Sequence, residues 1–151
     1  MNFRLFEDAG YERILRFLTV MDHEFFPPLH TRADLNEYAR ELATHGRNFF
    51  LVADGEDIAH AGFYCNDVES GVAFVSSVAV LPQCQGSEAA GYLLTRIADA
   101  CRARHMTALS LEVDNGNTRA IRFYEKQGFR FVSDRVMQKD IVGALCSGRA
   151  E

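Results

Sequence analysis

The spacing of apolar positions changes repeatedly along this chain, and each change marks an element. Residues 2–6 alternate weakly between polar and apolar and read as a first strand. Residues 11–21 then place Ile14, Leu15, Leu18 and Met21 on one face at helical spacing, a helix of about three turns. Residues 23–30 hold Phe25, Phe26, Pro27 and Pro28, and paired prolines cannot continue a helix, so a loop follows. Thr31 opens a Thr-x-x-Asp capping pattern ahead of Leu35, Tyr38, Ala39 and Leu42, predicting a second helix to about Thr44.

The middle of the chain reads as strands. Residues 49–53 and 58–65 are apolar runs around Asp54-Gly55-Glu56-Asp57, the signature of a hairpin. A turn at 66–71 leads into a valine-rich strand at 72–81. Ala90, Leu93, Leu94, Ile97, Ala98 and Cys101 form a core stripe on a helix over 89–104, and 107–113 is the next strand. Asn117 caps a fourth helix through Gln127, with Gly128 at its stop. Strands at 129–132 and 136–141 follow, and 142–151 reads as a flexible tail. The strand–helix–strand crossover from 72–81 to 107–113 implies a parallel pair. The predicted fold class is therefore α/β, with a mixed, mostly antiparallel sheet and about four helices in a single domain over 1–151.

Composition narrows the function classes. A chain of 151 residues with 48% apolar and 25% charged residues can bury a core without disulfides or structural metal. Its net charge of −5 leaves no basic field to attract DNA or RNA, so no nucleic-acid partner is expected. No apolar stretch is long enough to span a bilayer, and the first residues lack a signal-peptide pattern, so the expectation is a cytoplasmic protein with no membrane partner, as monomer or homodimer. Cys65, Cys84, Cys101 and Cys146 form no Cys-x-x-Cys pair and the five histidines are dispersed, so free thiols and no metal are expected.

Candidate chemistry begins after the valine-rich strand. Gln83-Cys84-Gln85-Gly86-Ser87-Glu88-Ala89-Ala90 leads from Pro82 into the third helix. Amides at a helix start, together with the helix dipole, favour an anion such as a pyrophosphate, and small residues let it approach. An ordinary strand-to-helix turn is the competing reading. The run Val78-Ala79-Val80-Leu81-Pro82, then Gln85-Gly86 and Ala90-x-x-Leu93-Leu94, resembles the coenzyme-binding motif of the GNAT family of N-acetyltransferases. Gln85 and Ala90 match its first and last positions, while Glu88 stands where the family has its central glycine.

A second stretch carries the resemblance further. Leu111-Glu112-Val113, Asn117, Ala120-Ile121, Tyr124 and Gly128-Phe129 follow the spacing of the family's next motif. The resemblance implies that acetyl-CoA is a co-substrate. It implies that backbone groups of Val78 and Val80 meet the pantetheine arm and that Gln85, Gly86, Ser87, Ala89 and Ala90 cradle the pyrophosphate. It also implies that Asn117 holds the coenzyme or a water and that Tyr124 supplies a proton to the departing thiolate. Each has a plainer alternative: Tyr124 as a core aromatic, Asn117 as an N-cap only. Relatives place a glutamate on the strand before the loop, but here that stretch reads Phe74-Val75-Ser76-Ser77-Val78. Glu112 is the substitute general base, unless it is a structural glutamate.

The implied function is transfer of an acetyl group from acetyl-CoA to a small-molecule primary amine, by direct attack in a ternary complex. Phe26-Pro27-Pro28-Leu29-x-x-Arg32-x-x-Leu35, with Tyr64-Cys65-Asn66-Asp67, resembles a subgroup acting on amino sugars of surface polysaccharides. Phe26, His30 and Ser76 are the candidate acceptor contacts; a peptide or amino-acid α-amine is the competing acceptor. Glu88 opens a different class of reading. A carboxylate beside a phosphate site opposes binding, and the alternative is a degenerate ligand-binding or partner protein with weak or no coenzyme binding.

Overall fold

The computed structural model describes residues 2–86 and 88–142. The elements are β1 (Arg4–Glu7), α1 (Tyr11–Met21), α2 (Leu35–His45), β2 (Arg47–Ala53), β3 (Glu56–Tyr64), β4 (Val72–Val80), α3 (Ala89–Ala103), β5 (Ala108–Glu112), α4 (Thr118–Lys126), β6 (Arg130–Phe131) and β7 (Val136–Asp140). The strands join in the order β1-β2-β3-β4-β5-β7-β6. Pairing is antiparallel from β1 to β3 and among β5, β7 and β6, whereas β4 and β5 run parallel. This is the mixed α/β sheet that the crossover predicts.

Two local expectations need correction. Thr31 does not cap the second helix: it ends a 3-10 turn, Leu29–Thr31, and α2 starts at Leu35 with the Asp34 carboxylate accepting from the Glu37 amide at 3.0 Å. The pattern is ambiguous because Asp34 is itself a strong capping residue. The loop after α1 also contains regular turns, Asp22–Glu24 and Leu29–Thr31, on either side of the prolines. The predicted tail lies, beyond Val142, outside the described residues.

Contacts group the chain into two compact units. The first comprises the residues up to Phe63 together with Ser77–Leu94. Its core is built from Ile14, Phe17, Leu18 and Met21 of α1, Leu42 of α2, and Phe50, Leu51 and Phe63 of the sheet, all buried. Leu42 packs directly over Gly62, where an added Cβ would lie 2.7 Å from its Cδ2. Arg13 crosses the edge of this core, paired with Asp57 and Asp8, its guanidinium 4.2 Å from the Phe50 ring centre.

His60 is fully buried in the first unit. Asn48 donates its amide nitrogen to the Leu42 carbonyl at 3.0 Å, so its oxygen faces His60 Nε2 at 2.9 Å. Nε2 must then carry the proton, and the bare Nδ1 of His60 has no hydrogen-bond partner among the described residues. Desolvation, opposed by the Asp57 charge and helped by that of Arg13, pushes the His60 pKa down to about 3.

The second unit comprises Tyr64–Ser76 and the residues from Thr95 onward. The parallel ladder pairs Val72–Phe74 with Ala108–Ser110, and β5 pairs along its length with β7. Ile97, Cys101, Leu109, Leu111, Met137 and Ile141 fill its interior.

Candidate active site

In the first unit, β4 reaches Val80 and the chain turns through a 3-10 turn, Pro82–Cys84, into α3. Gln85 is exposed, and its side-chain nitrogen donates back to the Val80 carbonyl at 3.0 Å, tying the loop to the strand end. Gly86 has φ +86, a left-handed conformation that a side chain disfavours, so this glycine is required by the turn. Ser87 lies outside the described residues. The Glu88 carbonyl accepts the amide of Tyr92 at 2.9 Å, which makes exposed Glu88 the N-cap of α3. Ala89 is buried and Ala90 half-buried behind it. A helix start of this kind presents amides without intrahelical acceptors and the positive end of the dipole.

Beside the loop is an open pocket of about 80 Å³, lined by Met21, Glu24, Phe25, Val78, Ala79, Val80 and Gln85. The end of α1 and the turn after it thus face the last residues of β4. That turn is held by Asp22, whose two oxygens accept from the amide and the Nδ1 of His30, at 2.7 and 2.8 Å. Burial opposes ionisation of Asp22, but the His30 hydrogen bonds and the charges of His30 and His23 lower its pKa overall. Donor atoms of Asp22, His23 and His30 lie within 4.8 Å of one another, groups of a kind that hold divalent cations. Both Asp22 oxygens are engaged by His30, so here the cluster fixes the loop. Phe26 is 54% exposed, and Ser76 on β4 is half-buried.

In the second unit, α4 runs from Thr118 to Lys126. Asn117 caps it, its side-chain oxygen accepting the Ala120 amide at 3.3 Å, so the plainer reading of this residue holds whatever else it does. Gly128, with φ +98, turns the chain out of the helix. Tyr124 is half-buried, its ring edge-on to Phe123 and Phe129 at 5.3 and 5.6 Å between centres. Its hydroxyl makes no hydrogen bond among the described residues, and burial pushes its pKa up to about 12. Glu112 closes β5, exposed between buried Leu111 and Val113.

The sequence profile of the acetyltransferase (GNAT) family matches residues 11–129. The chain belongs to the GNAT family. No curated protein is matched by sequence. Among solved structures, a GNAT-family acetyltransferase from Staphylococcus aureus Mu50 is similar at 13% identity and TM-score 0.74, covering 93% of this chain and 99% of that one. A GNAT-family acetyltransferase from Elizabethkingia anophelis with acetyl-CoA bound is similar at 15% identity and TM-score 0.73, with coverages of 92% and 98%. The ribosomal-protein-S18-alanine N-acetyltransferase of Escherichia coli is similar at 22% identity and TM-score 0.70, with coverages of 91% and 94%.

Within this GNAT fold, the structure gathers Val78, Val80 and Gln85 at one pocket and sets Gly86, Glu88, Ala89 and Ala90 at the α3 start. Sequence reasoning missed Met21, Glu24 and Phe25 as pocket residues. The helical stripe marks Met21 as core, and nothing in the spacing of Glu24 separates it from an ordinary surface glutamate.

Proposed function

We propose that this protein is an N-acetyltransferase that moves an acetyl group from acetyl-CoA to a primary amine, by direct attack within a ternary complex. The observation that carries the reading is the α3 start: a glycine-dependent turn delivers helix amides at the end of a strand whose last residues line a pocket. Pyrophosphate is the anion such a helix end favours. The pantetheine arm would then run along the end of β4, hydrogen-bonding as an added strand does. Acetyl-CoA bound to a similar structure supports this choice of co-substrate.

Transfer needs an uncharged amine, a polarised thioester carbonyl and a way to stabilise the departing sulfur. The amine lone pair attacks the carbonyl carbon, a C–N bond forms, the C–S bond breaks, and the nitrogen loses one proton while the sulfur gains one. By family resemblance, Tyr124 serves the sulfur, Asn117 the coenzyme, and Glu112 is a candidate base. An amino sugar is the proposed acceptor, with Phe26, His30 and Ser76 as contacts.

A second reading, a ligand-binding protein that transfers nothing, is favoured by one observation: exposed Glu88 is the N-cap residue at the helix end that the pyrophosphate needs. Calorimetric titration of acetyl-CoA against wild type and Glu88→Gly separates the two. The enzyme reading expects measurable wild-type affinity, tighter binding in Glu88→Gly, and thiol release with an amine panel. No binding by either protein sinks it.

A further inference from the structure

We propose that Asp22, His23 and His30 bind a divalent transition-metal ion of the zinc class on the segment between α1 and α2. One donor atom from each residue lies within 4.8 Å of the other two. Sequence spacing does not announce the set, because the chain must double back through Phe25–Pro28 before the rings of His23 and His30 stand 5.3 Å apart.

The donor set is chemically selective. Two imidazoles and one carboxylate suit zinc, nickel or iron(II), whereas magnesium and calcium prefer oxygen ligands alone. Three protein ligands also leave a position for water. The site can admit it: Asp22 is buried, but both histidines are exposed, the His30 side chain by 51%.

The geometry asks for little movement. Ligands on one zinc ion, bound at about 2.0–2.1 Å, stand about 3.3 Å apart in a tetrahedron. Asp22 Oδ2 and His30 Nδ1 are already 2.8 Å apart, and the ion takes the place of the proton they share. Asp22 Oδ1 keeps the His30 amide at 2.7 Å, so the carboxylate stays oriented as a ligand. The remaining closure, from at most 4.8 Å to about 3.3 Å, falls to His23. Its ring meets His30 edge-on and makes no hydrogen bond or ion pair among the described residues, so it can swing inward.

A bound ion joins the turns Asp22–Glu24 and Leu29–Thr31 directly. Met21, Glu24 and Phe25 line the pocket and flank Asp22 and His23 in sequence, so the ion also pins that wall of the pocket. The assignment stands apart from the acetyltransferase reading, whose chemistry requires no metal.

The test titrates ZnCl2 and, separately, MgCl2 into the untagged full chain by calorimetry, with thermal midpoints recorded with and without each ion. Wild type is expected to bind one zinc ion saturably and to gain in midpoint, since an ion that binds only the folded state stabilises it. Magnesium should give neither effect. His23→Gln and His30→Gln should each weaken zinc binding by roughly tenfold or more. His30→Gln also removes a bond that holds the loop, so His23→Gln carries the decision: its metal-free midpoint should match wild type while its zinc-induced gain shrinks. No zinc heat and no gain in midpoint for wild type overturns the assignment. Unchanged zinc affinity in His23→Gln, which would put the ion on other histidines or on thiols, overturns it equally, as does binding of magnesium as tight as that of zinc.

Discussion

At the scale of single residues, the acidity of Tyr124 sharpens what it can do. A hydroxyl near 12 keeps its proton throughout the neutral range, while a simple thiol titrates near about 8.5. Full transfer from that hydroxyl to a departing thiolate is uphill by roughly 3.5 pKa units, or about 5 kcal/mol. A hydrogen bond to the developing negative charge costs nothing of the kind, so Tyr124 fits a donor that steadies the sulfur, with water completing the protonation. Tyr124→Phe should lower kcat by about 10- to 100-fold at unchanged acetyl-CoA affinity, a loss of about 1.4–2.7 kcal/mol of transition-state stabilisation. The loss should be level between pH 6 and 9. Unchanged turnover would remove Tyr124 from the chemistry. The residues behind this reading were unevenly legible. Tyr124 and Gly128 stand out because fixed motif spacing singles them out, whereas Glu24 becomes visible only when the turn after α1 is placed beside β4. A lone glutamate has no periodicity to betray it.

At the scale of elements, α1 and α3 were readable because their apolar positions keep helical spacing over eleven and fifteen residues, and β4 because valine recurs along its nine. The start of α2 was not, since Thr31 and Asp34 are both good capping residues and local sequence does not choose between them. Tertiary packing has the stronger claim: Leu42 must land over Gly62. An added methyl there meets Leu42 Cδ2 at 2.7 Å and Cδ1 at 2.9 Å, and Leu42 is fully buried. Gly62→Ala should therefore destabilise the fold by about 1–3 kcal/mol, as overpacking does, although alanine suits a strand better than glycine. A urea midpoint measures it. Pairing the substitution with Leu42→Ala should recover part of the loss, and strict additivity of the two would show that they do not meet.

At the scale of the whole molecule, stability should depend on pH through His60. Its folded pKa near 3 lies below the ordinary 6.5. Above pH 6.5 neither state is protonated and the contribution is complete. As pH falls from 6.5 toward 3, the unfolded chain takes up a proton that the folded chain refuses, and stability declines by about 1.4 kcal/mol per unit. Glu7 and Asp8, held below the usual carboxylate range chiefly by hydrogen bonds from Arg47 and Arg13, add losses as pH falls below about 4. Urea unfolding at pH 7.5, 6 and 5 should show the decline, and His60→Gln should flatten it. A wild-type curve that is level between pH 7.5 and 5 would exclude this account.

The two compact units divide the chain inside β4, between Ser76 and Ser77, and inside α3, between Leu94 and Thr95. Neither unit is a continuous stretch of sequence. A single crossover therefore cannot transplant one unit intact into another gene, because segments of the two units alternate along the chain. The loop before α3 travels with the N-terminal helices only if the crossover falls after α3 has begun, and Tyr64–Ser76 of the second unit is then taken along.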